Sequence, residues 1–337
     1  MGSSRLTHFA LSSVLLLCAS ALAQDQKPPD PPLFPVKIDG KWGFIDTSGK
    51  LRIAAQYSDL DEFGELSVGP IAVAANGLWG FIDKKGNWVV EPRFHLAENC
   101  VSGFAAVEMD DGNWRFINLN GDLVDGSGYE RVQCFVDGPP AVTFEGEHEW
   151  TYLDVKRSRL LPVRQDIPEG FDEGLTPMNA GSIWGYVDES GAFIIAPKFD
   201  EASGFSEGLA AVRLGDKWGY VDKSGVIAIP PQFAWAYGFA EGLAGVKLEG
   251  KCGFINRDGK FVVPPTFQDV RFFNEDLAAV EKNSKWGYID KQGNVVVEPR
   301  FENNALPFRG GIAQVRLWGG ETGYINKSGE YVWKPTQ

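Results

Sequence analysis

Residues that usually carry chemistry are scarce in this 337-residue sequence, which contains three histidines, four cysteines and three methionines. His95 and His148, the two histidines beyond the N-terminal segment, belong to no recognisable nucleophile motif. The H-E-x-x-H, P-loop and C-x-x-C patterns are absent. We therefore expect a protein that is not an enzyme and that uses no cofactor and no metal. One alternative stays open, because acidic residues for a glycosidase-like carboxylate pair are plentiful.

Runs of lysine and arginine are missing as well. The chain carries 32 basic and 45 acidic residues, which gives a formal net charge of -13. A surface of that sign repels phosphate backbones and anionic lipids. The composition therefore argues against nucleic acid as a partner and predicts an extended acidic surface.

The sequence has no hydrophobic run long enough to cross a bilayer comfortably. Its longest apolar stretch, residues 9–17, follows Arg5 and precedes the small-residue site at 21–23. These features are typical of a signal peptide over residues 1–23, followed by a proline-rich linker at 24–33. We therefore expect an exported chain without a transmembrane segment.

Removal of the signal peptide would leave an odd number of cysteines, Cys100, Cys134 and Cys252. Cys18 follows three leucines, which resembles a lipoprotein signal only loosely and makes lipidation an alternative. Cys100 and Cys134 stand at nearly equivalent places in neighbouring repeats, described next, so we predict a possible disulfide between them. Cys252 replaces a repeated tryptophan, and we expect it to be buried and inert.

One motif recurs along the chain at intervals of about 35 residues, a spacing that indicates a repeat protein. It reads KWGFID at 41–46, KWGYVD at 217–222 and KWGYID at 285–290. Its first aromatic position defines nine units, and the tryptophans there are interpreted as structural anchors. The nine positions are Trp42, Trp79, Trp114, Trp150, Trp184, Trp218, Cys252, Trp286 and Thr322.

Each unit is predicted to contain three strands. Strand A is a small apolar segment such as LAAVRL at 209–214, and strand B carries the Trp-Gly pair, whose Gly leaves room for a neighbour's ring. Strand C is a β-branched run such as VVVEP at 295–299, which we expect to end at its proline. Between B and C an Asp or Asn precedes Gly by three positions, which predicts an Asx turn. A calcium loop is the alternative, but its D-x-D-x-D-G alternation is absent.

These motifs resemble the WG (KWG) repeat family of bacterial exported β-repeat proteins. The resemblance runs from about residue 34 to residue 335 and rests on K-W-G-[FY]-[IV]-[DN]-x-x-G, V-x-P-x-F and F-x-E-G-L-A-x-V. It implies an all-β repeat domain over 34–337 in a bacterial protein of the periplasm or the exterior. Units three and four are degenerate, because Arg115 and Thr151 replace the motif glycine and Arg157 replaces the turn glycine.

Two all-β architectures fit nine three-stranded antiparallel meanders. A single unit is too small to bury its aromatic residues, so neighbouring units must pack face to face. Closed β-propellers typically have about 4 to 8 blades, and the chain starts with strand A and stops after strand C. Both arguments favour an open superhelical stack, with propeller-like closure as the alternative.

Three aromatic residues fall outside the repeated positions and are candidates for ligand contact. Trp235 and Tyr237 are assigned to a connecting loop, and Trp318 lies in the turn RLWGGE. Packing against a neighbouring loop is the alternative role for them. His148 lies in the acidic turn EGEHEW at 145–150, which is interpreted as solvated. The sequence thus predicts an exported binding or scaffolding protein for a protein, peptide or cell-wall ligand, with an envelope hydrolase as the alternative.

Overall fold

The computed structural model describes the chain between residues 32 and 334 with short gaps. The described ranges are 32–61, 69–100, 103–124, 126–135, 138–165, 169–302, 305–316 and 321–334, with only the backbone of Cys100 included. All of them belong to the unit Pro32–Gln337. The predicted signal peptide, Cys18 and nearly all of the linker lie outside these residues.

Nine antiparallel sheets, numbered here in chain order, make up the described part of the chain. Sheet 1 holds β1 (Phe34–Ile38), β2 (Lys41–Ile45) and β3 (Leu51–Tyr57); sheet 2 holds β4 (Asp59–Leu60), β5 (Ile71–Ala75), β6 (Leu78–Ile82) and β7 (Trp88–Phe94); sheet 3 holds β8 (Leu96–Cys100), β9 (Phe104–Glu108) and β10 (Trp114–Asn118). Sheet 4 holds β11 (Arg131–Gln133), β12 (Ala141–Thr143), β13 (Trp150–Asp154) and β14 (Arg159–Gln165); sheet 5 holds β15 (Thr176–Asn179), β16 (Trp184–Val187) and β17 (Phe193–Phe199).

The remaining sheets are the most regular. Sheet 6 holds β18 (Glu201–Ser206), β19 (Leu209–Leu214), β20 (Lys217–Asp222) and β21 (Ile227–Phe233); sheet 7 holds β22 (Trp235–Ala240), β23 (Leu243–Leu248), β24 (Lys251–Ile255) and β25 (Phe261–Phe267). Sheet 8 holds β26 (Asp269–Val270), β27 (Leu277–Lys282), β28 (Lys285–Asp290) and β29 (Val295–Phe301); sheet 9 holds β30 (Ile312–Arg316), β31 (Thr322–Asn326) and β32 (Tyr331–Trp333). Within the described ranges the only helix is a single 3-10 turn, Val155–Arg157.

The structure adds a strand that the three-stranded prediction missed. β4, β8, β11, β18, β22 and β26 each precede strand A and pair with it. β18 contacts β22, so we describe the first strands as the inner edge of the assembly. In β22 only Ala236 and Phe239 are buried, and the register shifts between them. Because this bulge interrupts the alternation, the segment reads as a loop in the sequence.

The motif glycine leaves room for the backbone of the next strand in its own sheet rather than for a neighbour's aromatic ring. Trp218 pairs with Phe233 and Tyr220 with Ile229, so Gly219 faces residues 230–232 of β21 across a bulge. A Cβ on Gly219 would lie 2.5 Å from the Ile229 carbonyl oxygen. Where the bulge contains proline, as in β21, β25 and β29, the proline lies inside strand C. The prediction that strand C ends at its proline is therefore wrong.

The predicted Asx turns are confirmed. In the turn after β20, the Asp222 Oδ1 atom accepts hydrogen bonds from the backbone N–H groups of Ser224 and Val226. Gly225 closes the turn with a φ of 83°, a conformation that glycine adopts without strain. The same two bonds recur at Asp46, Asp83, Asn118, Asp188, Asn256, Asp290 and Asn326.

Nine separate hydrophobic clusters show how the sheets are arranged. Each joins one sheet to the next, as when Tyr220 and Phe233 of sheet 6 pack with Phe239 and Val246 of sheet 7. Eight such clusters join sheets 1 to 9 in chain order. The ninth joins sheet 9 back to sheet 1 through Val36, Ile45, Ile312 and Tyr324. An open stack of nine sheets would have only eight interfaces, so the ring is closed.

Three contacts at the closing interface repeat those found elsewhere in the ring. The Tyr324 hydroxyl donates to the Pro35 carbonyl oxygen at 2.8 Å, and the Tyr324 and Phe34 rings meet edge to face. A Cβ on Gly49 would clash with the Val332 backbone, just as Gly329 lies against Val297 of the previous sheet. The favoured open stack is thus wrong: the fold is a nine-bladed β-propeller, the stated alternative. The ring closes without a blade built from both ends of the chain, because the apolar faces of blades 9 and 1 pack against each other.

Each sheet forms one blade and gives the blade its number. A repeated contact, here called the interblade clasp, joins blades 5 to 9 at one rim. Glu207 of blade 6 accepts a hydrogen bond from the Gly242 backbone N–H of blade 7 at 3.0 Å, while Arg257 of blade 7 donates to the Glu207 carbonyl at 2.6 Å. Equivalent clasps centre on Glu173 with Gly208 and Lys223, Glu241 with Asp276 and Lys291, and Glu275 with Gly311 and Lys327.

Candidate ligand-binding site

Trp235 is a tryptophan of an inner strand whose side chain is partly exposed. It begins β22 and keeps 44% of its surface accessible. The rest of the indole packs on Trp218 of the preceding blade, with ring centroids 5.0 Å apart, and on Tyr237 at 6.3 Å. The ring is therefore held in place by two aromatic neighbours while one side stays open to a ligand.

Tyr237 connects this aromatic pair to a charged group on blade 8. Its hydroxyl donates to Asp269 Oδ1 at 3.2 Å, and Arg271 donates to Asp269 Oδ2 at 3.0 Å. The Arg271 guanidinium lies 4.6 Å from the centre of the Trp286 ring, in cation–π contact. Burial, followed by the charge of Asp269, raises the pKa of Tyr237 to about 12. The phenol therefore stays protonated and acts as a donor at neutral pH.

Trp235, Tyr237, Asp269 and Arg271 form what we call the Trp235 surface, which packs on the buried Trp218 and Trp286. The geometry suits binding, because an exposed indole offers a flat apolar face and the Asp–Arg pair offers polar contacts beside it. Cys252 lies nearby but is buried and free, and burial raises the pKa of its thiol. A thiol that stays protonated is a poor nucleophile.

The anchor tryptophans differ in depth. Trp218 and Trp286 are buried, with 6% and 4% exposure, whereas Trp42, Trp79, Trp114, Trp150 and Trp184 are half-buried. The deepest side chain of the motif is instead the aromatic residue two positions later, such as Tyr220. Its hydroxyl donates to the Tyr237 carbonyl of the next blade at 2.7 Å. The regular [FY] after Trp-Gly was the signal for this role.

Two of the predicted sites lie partly or wholly outside the described residues. Trp318 is one of them, so its role stays a prediction. Cys134 is disulfide-bonded, but the side chain of Cys100 lies outside the described set, so their pairing also stays a prediction. His148 is exposed, and the described residues contain no group of three or more histidine, cysteine or acidic side chains that could hold a metal.

The sequence also contains a G-x-S-x-G pattern, GFSEG at residues 204–208. Nucleophile elbows of this type sit on a sharp strand-to-helix turn. Here Ser206 ends β18, and its hydroxyl donates to the Phe239 carbonyl of blade 7 at 2.6 Å. The serine therefore bridges two blades, in a setting that differs from a catalytic elbow.

Two glutamates near the inner edge have raised pKa values. Burial, with a further contribution from the charge of Asp61, raises the pKa of Glu98 in β8. Burial, followed by Asp172, raises the pKa of Glu169 before β15. Asp61 itself accepts the backbone N–H of Asn99 at 2.9 Å. Carboxyl groups in such pairs are the features that a hydrolytic function would use.

Comparison with solved structures found proteins of low sequence identity to this chain. A eukaryotic initiation factor is 11% identical, with 90% of this chain and 96% of that chain covered and a TM-score of 0.59. The designed Ika8 protein is 10% identical, with 77% and 94% covered and a TM-score of 0.43. BamB from Moraxella catarrhalis is 10% identical, with 87% and 96% covered and a TM-score of 0.38. A comparison with curated proteins found no match.

A family profile described as "WG containing repeat" matches six segments that together cover more than half of the chain. They are residues 42–65, 79–114, 184–218, 218–252, 253–286 and 286–319. The unmatched stretch 115–183 contains Arg115, Thr151 and Arg157, where the motif glycines are lost. None of the helices among the described residues is long and apolar enough to cross a membrane. The chain belongs to the family of WG-repeat proteins.

Proposed function

We propose that this chain is an exported, non-catalytic binding protein whose Trp235 surface contacts a protein, a peptide or a cell-wall component. The observation that carries the proposal is the exposure of Trp235 beside the two aromatic side chains that support it, Trp218 and Tyr237. Leaving a large apolar side chain in water brings no benefit to folding, and exposed aromatic residues are common centres of binding surfaces. The signal-peptide pattern at 1–23 supports export.

Ligand capture with matched variants tests this proposal. The mature chain (residues 24–337) would be immobilised and incubated with envelope extract and with purified cell-wall glycan. Trp235→Ala removes the exposed indole, and Phe193→Ala on β17 removes an aromatic of similar exposure, 45%, from another blade. We expect at least about a tenfold loss of retained ligand for Trp235→Ala and no loss for Phe193→Ala. Equal retention by both variants would contradict the proposal.

The second candidate, an envelope hydrolase, is favoured only by the raised pKa values of Glu98 and Glu169. It is tested by incubating the mature chain with cell-wall glycan and measuring new reducing ends. Turnover that Glu98→Gln or Glu169→Gln abolishes would support the hydrolase and contradict a purely non-catalytic role. No release of reducing ends by the folded protein would remove this candidate.

A further inference from the structure

The charges around the Trp235 surface balance one another, although the chain as a whole is acidic. Residues paired across two strands point to the same face of a sheet. Trp235 pairs with Lys247, and Asp269 pairs with Glu281. Together with Arg271, which donates to Asp269, these side chains contribute two positive and two negative charges. On a chain with a formal net charge of -13, this local balance favours an uncharged ligand.

The exposed indole provides an apolar plate bordered by polar groups. Trp235 is 44% exposed, and its contacts with the Trp218 and Tyr237 rings restrict its orientation. Lys247 lies across the strand pair from it and is half-buried. An entirely apolar ligand would strip water from the charged groups next to the ring, which is costly. The matching ligand is therefore apolar on one face and polar around its edge.

Asp269 and Arg271 offer both an acceptor and donors to such a ligand. Asp269 Oδ1 accepts from the Tyr237 hydroxyl and from the Val270 backbone N–H, whereas Oδ2 accepts from Arg271 Nη1 at 3.0 Å. A carboxylate has about four acceptor positions and a guanidinium has about five donors. The two side chains are 33% and 34% exposed, so water or a ligand reaches them. A ligand hydroxyl can thus donate to Oδ2 and accept from the other guanidinium nitrogens.

A pyranose sugar combines these two properties in one ring. When its hydroxyls are equatorial, as in glucose, the axial C–H groups give each ring face an apolar character, and such a face suits stacking on an indole. Each hydroxyl at the edge donates and accepts at the same oxygen atom, as the Asp269–Arg271 pair requires. A peptide can cover the indole with an apolar side chain, but its amide N–H only donates and its carbonyl only accepts. The chemistry of the surface therefore favours a sugar over a peptide.

We propose that the Trp235 surface binds an uncharged glycan. A sugar ring with equatorial hydroxyls stacks on the exposed face of Trp235, and its edge hydroxyls form hydrogen bonds with Asp269 and Arg271. This inference rests on the proposed function and narrows its ligand from a protein, a peptide or a cell-wall component to a carbohydrate.

Nuclear magnetic resonance with a defined sugar tests the stacking. Cellotetraose, a chain of β-linked glucose, would be titrated into the mature chain 24–337 while the indole N–H signal of Trp235 is followed. That signal is identified by its loss in Trp235→Phe. Sorbitol is the control ligand, because it has the hydroxyl groups of a sugar but no ring. We expect a saturable shift with cellotetraose and none with sorbitol.

Calorimetric titration of cellotetraose into matched variants tests the two parts of the surface. We expect at least about tenfold weaker binding for Trp235→Ala, and an intermediate loss for Trp235→Phe, which keeps a smaller ring against Trp218. Asp269→Asn should weaken binding at least about threefold, because a charged acceptor is replaced by a neutral one. Phe193→Ala, which removes a ring of 45% exposure from β17, should bind as the parent does. Equal binding by Asp269→Asn and the parent would overturn the proposed hydrogen bonds.

A charged sugar and the capture experiment separate the remaining outcomes. The glucuronate tetramer, which adds a carboxylate to each ring of cellotetraose, should bind at least about threefold more weakly to this acidic chain. Tighter binding of that tetramer would overturn the inference of an uncharged ligand. If envelope protein is retained through Trp235 but cellotetraose causes no shift, the glycan inference is wrong and the binding surface stands. If cellotetraose causes no shift and Trp235→Ala retains as much ligand as the parent, both proposals are wrong.

Discussion

Blades 5 to 9 and blades 3 and 4 occupy equivalent places in one ring but are held in it by different contacts. The regular blades combine a motif glycine, a positive-φ hairpin and the interblade clasp. Blade 4 replaces the motif glycine with Thr151, whose hydroxyl donates to the Leu161 carbonyl at 3.2 Å. Its turn has Arg157 hydrogen-bonded to Asp154 and the left-handed residue Ser158 in place of the usual glycine turn. A blade position therefore requires two complementary apolar faces and tolerates several kinds of local chemistry.

The largest expected effect comes from filling the motif glycine of a regular blade. Gly219→Val places a side chain against the backbone of β21, where a Cβ alone would lie 2.5 Å from an oxygen atom. Since backbone cannot move aside cheaply, we expect at least about 3 kcal/mol loss in the free energy of unfolding. Urea denaturation measures it, with Thr151→Val in blade 4 as the comparison. If Gly219→Val lost no more stability than Thr151→Val, the pair β20–β21 would have as much room for a side chain as the pair β13–β14.

The loss of stability on truncating an anchor tryptophan to alanine should depend on how deeply the ring is buried rather than on its place in the motif. Trp218→Ala is expected to cost about 3 to 5 kcal/mol of unfolding free energy, because the ring is buried between blades 6 and 7. Trp42→Ala, from a half-buried position, should cost about half as much. Trp235→Ala should cost less than about 1 kcal/mol. Chemical denaturation of the three variants ranks them, and a Trp235 loss equal to that of Trp218 would assign Trp235 to the core.

Weakening one clasp should have a moderate and local effect. Glu207→Gln keeps the side-chain shape but replaces a charged acceptor for Gly242 with a neutral one, so we expect about 1 kcal/mol of destabilisation. Hydrogen exchange should accelerate at residues 241–243 more than at the closing interface. Glu145→Gln, at an exposed turn of blade 4, is the matched control. Uniform acceleration around the ring would show that the clasp has no local role.

The smallest expected effect concerns pH. The raised pKa values of Glu98 and Glu169 mean that their contribution to stability is present below their unfolded-state pKa and is lost as the pH rises through the folded-state pKa. The double variant Glu98→Gln/Glu169→Gln should therefore raise the melting temperature by a few degrees at pH 7 and have little effect near pH 4.

An acid with the opposite shift provides the control for this pH effect. Hydrogen bonds from Ser224 lower the pKa of Asp222, so its stabilisation is present above the unfolded-state pKa and is lost as the pH falls. Asp222→Asn should thus be neutral to destabilising at pH 7, and its effect should shrink in acid. If both variants changed the melting temperature with the same sign at pH 7, the assignment of the two kinds of carboxyl group would be wrong.

Local features of the fold were predictable because neighbouring residues determine them. The Asp–x–x–Gly turns follow from hydrogen bonds within five residues, and strands A and B follow from short apolar runs. The inner strand was missed because its bulge at Tyr237 and Gly238 breaks the period-2 pattern. For the same reason the sequence pattern assigns Trp235 to a connecting loop, whereas the structure places it in strand β22. The support from Trp218 and the Asp269–Arg271 pair comes from other blades, and no local pattern indicates it.

The sequence by itself determined the repeat, its length, its strand B and turn chemistry, and the dependence of each unit on its neighbours. Only the tertiary structure decided that the nine units close into a ring. Closure depends on the small rotation between successive sheets summed over all nine interfaces. That sum is set by how side chains from separate repeats pack, whereas a sequence pattern reports only what happens within one repeat.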